Sequence, residues 1–204
     1  MFDVDKSFVS YISAKRNSGK SYLMVQMLMS PKFLKNKFDE VILVDPTYEY
    51  DQKYHLVKFS EVYTEFSQEL CHELNERLEK GANDKKNRLI IFDDCITSAK
   101  FKSNNADHPL NTLILNGRHW NTSVFILSQK YNAISSHIRA QLDYVIFFGS
   151  RNHKELKSLH EEYGTGDLNS FVKMLNGNIT EPHDFIVIDN IENKILKNFK
   201  YVIN

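Results

Sequence analysis

The chain has 204 residues, 42% of them hydrophobic and 12% aromatic, which is enough to bury one sizeable core, too short for two comfortable domains, and incompatible with disorder. Lys plus Arg and Asp plus Glu number 26 each, so the net charge is zero and any nucleic-acid partner must be held by a local basic patch. Cys71 and Cys95 form no zinc-like spacing, no basic-then-apolar leader opens the chain, and no run approaches the roughly 18 apolar residues of a membrane span; the expectation is a soluble, unexported protein with reduced thiols.

Phe8 to Ile12 is an apolar run of strand length, and it leads into Ala14-Lys15-Arg16-Asn17-Ser18-Gly19-Lys20-Ser21. A helix-like stretch, Tyr22 to Leu34, follows. Phosphate binding requires a tight, glycine-relieved turn with backbone N–H groups converging at a helix N-terminus, a lysine for the terminal phosphates and a hydroxyl for Mg²⁺. Gly19, Lys20 and Ser21 supply these parts in order, which makes Ala14 to Tyr22 the candidate nucleotide-binding segment. Ala14 stands where glycine is usual; because alanine disfavours positive φ, the loop entrance is expected to be less strained than in the standard form.

Val41 to Val44 predicts a second strand. In Ser60 to Lys80 the apolar positions Val62, Tyr63, Phe66, Leu70, Leu74 and Leu78 recur in steps of three and four, which predicts a helix packed on the sheet with Ser60 as its N-cap. Glu79 to Arg88 is charged and reads as a solvated loop rather than a DNA-contacting one.

The third strand ends Ile90-Ile91-Phe92-Asp93-Asp94. In a parallel sheet the carboxyl ends of neighbouring strands share one crevice, so these acids are expected beside Lys20 and Ser21. Asp93 is the candidate Mg²⁺ ligand with Ser21, and Asp94 the group that polarises the attacking water.

Pro109 to Asn116 predicts a helix, followed by Gly117-Arg118-His119-Trp120. Arg118 carries the planar, permanently charged fork suited to phosphoryl oxygens and is the candidate that completes a neighbouring subunit's site, with Arg139 and Arg151 as competitors. His119 and Trp120 read as packing residues. The fourth strand, Val124 to Leu127, ends in Ser128-Gln129, where Gln129 is positioned to contact the γ-phosphate or the lytic water.

Ser135 to Gln141 predicts a short helix and Val145 to Phe148 a fifth strand. Helices are expected at Asn152 to Tyr163 and near Leu168 to Leu175. Phe185 to Ile188 and Ile195 to Ile203 read as an antiparallel hairpin turning at Asp189 to Lys194, with Lys194, Lys197 and Lys200 guarding its edge. Alternating strands and helices predict an α/β fold, a mainly parallel central sheet covered on both faces. One domain spanning 1–204 is expected, its core at about 8–163 and a C-terminal extension at about 164–204.

Together, the phosphate loop, the Ile-Ile-Phe-Asp-Asp strand and Gly117-Arg-His followed by Ser123-Val-Phe-Ile-Leu-Ser-Gln129 resemble the viral genome-packaging ATPases of the FtsK and HerA superfamily. The likeness is to those of membrane-containing icosahedral viruses, such as archaeal turreted icosahedral viruses, and of poxvirus-related large DNA viruses. It implies a three-layer P-loop NTPase of the RecA and ASCE type, with strand order 5-1-4-3-2 and a trans-acting arginine. It further implies a homo-oligomeric ring, hexamer or pentamer, that uses ATP and Mg²⁺ to move double-stranded DNA into a preformed capsid. Capsid or internal-membrane vertex proteins are then the expected partners, and assembling virions in the host cytoplasm the expected location. Ala14 and Asp94, where cellular relatives often carry glycine and glutamate, depart from the pattern without removing a needed functional group. Two other readings stand beside this one: a small nucleoside or metabolite kinase, which would need an arginine-rich lid, and a nucleotide-dependent assembly scaffold.

Overall fold

The computed structural model describes residues 2–95 and 108–203. Among these the strands are β1 (Val9–Ser13), β2 (Glu40–Val44), β3 (Glu61–Tyr63), β4 (Arg88–Asp93), β5 (Thr122–Ser128), β6 (Tyr144–Phe147), β7 (Ile186–Asp189), β8 (Lys194–Lys197) and β9 (Tyr201–Val202). They form one sheet in the order β3-β2-β4-β5-β1-β6-β7-β8-β9, parallel from β3 to β6 and antiparallel from there outward. The five strands expected from the sequence are β1, β2, β4, β5 and β6, and they lie in the expected order 5-1-4-3-2. The strands from β3 to β6 in this order all run parallel, so the carboxyl ends of β1, β4 and β5 meet at one edge.

Strand alternation divides the core between the two faces. Tyr11, Val44, Phe92, Ile126 and Phe147 point to the face covered by α2 (Gln68–Lys80), α3 (Pro109–Asn116), α5 (His153–Tyr163) and α6 (Leu168–Asn178). Ile12, Leu43, Ile91, Leu127 and Ile146 point to the other, where α1 (Lys20–Met29) packs through Met24, Met27 and Leu28. A short α4 (Ser136–Arg139) begins at the Ser135 cap and buries Ile138 against the first face.

Several boundaries differ from the sequence expectation. The stretch expected as one helix from Ser60 is first a strand: Val62 and Tyr63 pair with Leu43 and Val44, and α2 starts only after Ser67, whose side chain accepts from the Leu70 N–H. A step-of-three-and-four pattern accommodates both arrangements; the open edge of β2 decides the outcome by offering unpaired backbone groups to a β-branched and aromatic segment. The first helix ends at Met29 rather than Leu34, because Ser30 precedes Pro31 and is held extended at φ −96, ψ 125. The final strand is broken by Asn198 and Phe199 at φ 49 and φ 62, so that β9 folds back on β8. Phe199 turns its ring into a cluster with Phe2, Phe33 and Phe185, and that burial offsets its left-handed backbone.

The charged Glu79 to Arg88 segment is largely exposed, as expected of a solvated loop, and is anchored at its end where β4 begins. Arg88 is buried, with its Nε 2.9 Å from Glu40 Oε2 and a second pairing to Asp84. Trp120 is buried as expected of a packing residue, whereas His119 is exposed.

Candidate nucleotide site

β1 ends at Ser13 and the chain turns through the phosphate loop into α1. The entrance is anchored by the Ala14 N–H donating to the Ser128 carbonyl at 3.0 Å and by the Phe148 N–H donating to the Ser13 carbonyl at 3.0 Å. Positive φ falls on Asn17 (62°) and Gly19 (97°), not on the buried Ala14. The missing entrance glycine is therefore tolerated for a geometric reason: the left-handed turns lie further along the loop. A Cβ at Gly19 would sit 3.0 Å from His183 Nδ1 as well as at an unfavourable φ. Gly19→Ala is expected to destabilise the protein by about 1–2 kcal/mol and weaken nucleotide binding, checked by denaturant unfolding and titration calorimetry.

Lys20 is only 7% exposed and points back across the loop. Its ammonium lies 2.7 Å from Asp93 Oδ1 and 2.8 Å from Asp94 Oδ1. Ser21 Oγ donates to Asp93 Oδ2 at 2.7 Å. Residues 73 positions apart in sequence thus meet because β4 lies one strand from β1 across β5. Burial opposes ionisation of Asp93, but the charges of Lys20 and Lys53 and the hydrogen bonds to Lys20 and Ser21 outweigh it and hold the carboxyl below its ordinary range. Asp94 takes a left-handed backbone at φ 53, which turns the chain as it leaves β4.

Lys15, Arg16, Asn17, Gly19, Lys20, Ser21 and Tyr22 line a cavity of about 610 Å³ together with Asp94 and Gln129. Gln129 is exposed at the carboxyl end of β5, and the following Lys130 carbonyl accepts from the buried Tyr11 hydroxyl at 2.6 Å, which pins the start of that loop to β1. Arg118 lies elsewhere. Its guanidinium pairs with Asp143 Oδ1 at 3.0 Å, and Asp143 Oδ2 accepts from the Val9 N–H, so Arg118 sits at the amino end of β1. Five residues of extended strand separate it from the loop, roughly 15 Å at the usual rise. Arg139 is held by Glu162 Oε1 at 2.7 Å and the Ile134 carbonyl at 2.8 Å, while Arg151 is exposed beyond the carboxyl end of β6.

The opposite wall of the cavity comes from a segment that sequence reading missed. Pro46, Thr47, Asp51 and Lys53 line it. Lys53, on the single turn Gln52–Tyr54, places Nζ 3.2 Å from both Asp45 Oδ2 and Asp93 Oδ2. Desolvation disfavours its charge, yet the two carboxylates prevail and raise its pKa. The buried Tyr54 hydroxyl donates to Asp93 Oδ2 at 3.0 Å, and Thr47 donates to Asp45 Oδ1 from its N–H and its hydroxyl at 2.8 and 2.7 Å. Asp45 Oδ2 lacks a hydrogen-bond donor in good geometry, and Lys53 is its nearby counter-charge. Asp45 was recognisable in principle, since it ends a buried strand as Asp93 does; nothing in the sequence around Lys53 marked it.

The Asp93 and Ser21 oxygens suit Mg²⁺, which takes hard oxygen ligands and is commonly held by one or two protein groups with phosphate oxygens completing the shell. Among the described residues no group of three or more His, Cys, Asp and Glu side chains forms a self-sufficient metal cage.

Fold and loop geometry together define an α/β domain of the P-loop type. A model of the poxvirus A32 protein family matches residues 4–199, and the chain belongs to that family. Uncharacterized protein 015R of Frog virus 3 (isolate Goorha) is 26% identical over 146 residues, covering 69% of this chain and 44% of its own length. Uncharacterized protein L437 of Acanthamoeba polyphaga mimivirus is 23% identical over 206 residues, covering 93% of this chain and 70% of its own. The chain therefore spans less than half of the first relative. The fold is shared with the genome packaging NTPase B204 of Sulfolobus turreted icosahedral virus 2, whose complex with ATP-gammaS superposes with a TM-score of 0.72 at 15% identity over 99% of this chain and 100% of that one. The cytoplasmic domain of the Thermomonospora curvata type VII secretion ATPase EccC gives 0.61 at 12% identity, over 97% of this chain and 24% of that one.

Proposed function

We propose that this protein is an ATP-hydrolysing motor subunit that moves double-stranded viral DNA into a preformed capsid. The observation that carries the reading is the convergence of Lys20, Ser21, Asp93, Asp94 and Gln129 from three strands on one edge of the sheet, in a protein of the A32 family. The working unit is a homo-oligomeric ring, a hexamer or pentamer, docked on capsid or internal-membrane vertex proteins at virions assembling in the host cytoplasm. Among the described residues no helix is long and apolar enough to cross a membrane, so contact with a vertex membrane would run through partners.

In this reading hydrolysis requires a rearrangement around Lys20. Lys20 is neutralised by Asp93 and Asp94, so it exchanges Asp94 for phosphate oxygens when a triphosphate enters. In that arrangement the Asp94 carboxylate accepts a hydrogen bond from the attacking water, which Gln129 orients from the neighbouring strand. Ser21 and Asp93 would hold Mg²⁺, which would supply neutralisation of the developing phosphate charge.

Arg118 is the favoured trans residue, because its side chain is 57% exposed with one surface ion pair to release, whereas Arg139 is committed to Glu162 and Ile134. Arg118→Ala and Lys20→Ala proteins, each inactive alone, are expected to regain turnover when mixed, since one contributes the arginine and the other an intact phosphate loop. Absence of complementation in co-assembled rings assigns the role to Arg151 or removes it.

Phosphate release measured against protein concentration and added double-stranded DNA tests the function. Turnover is expected to rise with both. Phosphorylated product from a nucleoside panel would indicate a kinase instead.

A further inference from the structure

Beside the phosphate loop, on the flank away from Asp93, lies a second cavity of about 390 Å³. Tyr22, Leu23 and Gln26 of α1 form one wall. The other consists of Phe148, just past β6, with His183 and Phe185, which precede β7. Gly19 and Tyr22 line both this cavity and the phosphate cavity, so the two adjoin at the start of α1. The two differ in character. The first gathers charged groups at its walls, and the second gathers aromatic and aliphatic side chains with an amide and an imidazole at the rim. Phe148 and Phe185 are already packed together, with ring centroids 5.1 Å apart.

We propose that this cleft receives the base of the nucleoside triphosphate and is built for a purine. The reading rests on the proposed nucleotide site and deepens it. A flat heteroaromatic ring gains stacking against Tyr22 and the Phe148–Phe185 wall, and the two-ring base covers more of that apolar area than a pyrimidine does. Gln26 offers both a donor and an acceptor to the edge of the base. The residues that complete the cleft belong to the C-terminal extension, a part of the chain whose sequence carried no nucleotide motif.

His183 gives that extension a second role. Its Nδ1 lies 2.9 Å from the Ser18 carbonyl, within the phosphate loop and 165 residues away in sequence, and it occupies the space that any side chain at Gly19 would need. His183 is therefore a positioning residue that ties the base cleft to the phosphate loop. Its own backbone is left-handed, at φ 69. Asparagine tolerates that conformation and keeps a side-chain hydrogen-bonding group, whereas alanine keeps neither advantage.

The test is titration calorimetry of the full chain in Mg²⁺ with ATP, CTP and inorganic triphosphate. Wild type is expected to bind ATP about tenfold more tightly than CTP. Tyr22 is 69% exposed and can be truncated without opening the core. Phe148→Ala is expected to lose about tenfold for ATP and to leave triphosphate affinity unchanged, whereas Tyr22→Ala, which alters both cavities, is expected to lose more for ATP than for triphosphate. His183→Ala should weaken ATP and triphosphate together, and His183→Asn should restore both. If triphosphate, ATP and CTP bind with equal affinity, or if Phe148→Ala weakens all three alike, the base cleft is wrong while the phosphate site stands. If triphosphate itself does not bind, the nucleotide reading beneath the proposal fails.

Discussion

Lys20→Ala will abolish ATP turnover, with a loss of at least about 10²-fold, the scale observed when one preorganised donor to developing charge is removed. Two effects compound. The variant lacks the cation for the terminal phosphates, and it removes the ammonium that pairs with both Asp93 and Asp94 at under 3 Å, which raises the negative charge facing an incoming polyanion. Nucleotide affinity is expected to fall along with turnover, so single-turnover phosphate release at saturating ATP is the decisive measurement. Retention of more than a tenth of wild-type turnover under those conditions would remove Lys20 from the mechanism.

Lys53→Met will have its largest effect on stability. Asp45 and Asp93 are fully buried, and Lys53 lies 3.2 Å from each of them. Removing one member of a buried ionic cluster while leaving the others costs about 3 kcal/mol, because the remaining charge loses its compensation. Denaturant unfolding at neutral pH reads this directly. The double variant Lys53→Met with Asp45→Asn is expected to recover part of the loss; if it does not, packing of the lysine stem is responsible instead.

The pH dependence carries a sign that can be checked on the same proteins. Asp93 has its folded pKa depressed below the unfolded value of about 3.9, so its stabilisation is complete above that value and is lost as pH falls through the folded one. Without Lys53 the folded value moves upward, so Asp93 contributes less across the acid limb. The acid unfolding midpoint of Lys53→Met is expected at higher pH than that of wild type; an unchanged midpoint would show that Lys20 and Ser21 alone hold the carboxylate.

The phosphate loop, the Asp93-Asp94 strand end and Gln129 were legible because each is a local signal. Apolar runs of strand length ended in chemically distinctive residues, and a parallel sheet must bring such ends together. Lys53, Tyr54 and His183 were not legible, since each acts on a residue of another element with no periodicity or motif of its own. Lys53 reaches Asp93 from 40 positions earlier, and His183 reaches Ser18 across nearly the whole chain. The misplaced start of α2 has a related cause: Glu61 to Tyr63 becomes a strand because β2 has an edge to be paired, and an edge exists only once the sheet does.

By itself the sequence determined the α/β class and the candidate phosphate loop, because hydrophobic periodicity and loop chemistry are properties of neighbouring residues; the order of the five central strands followed from the family resemblance that those motifs carry. Tertiary structure alone decided what surrounds those groups: the Asp45 and Lys53 wall, the aromatic cleft closed by the C-terminal extension, and the placement of Arg118 at the far end of β1. Those features depend on which distant segments share space, and close packing and charge compensation settle that only when the chain is folded.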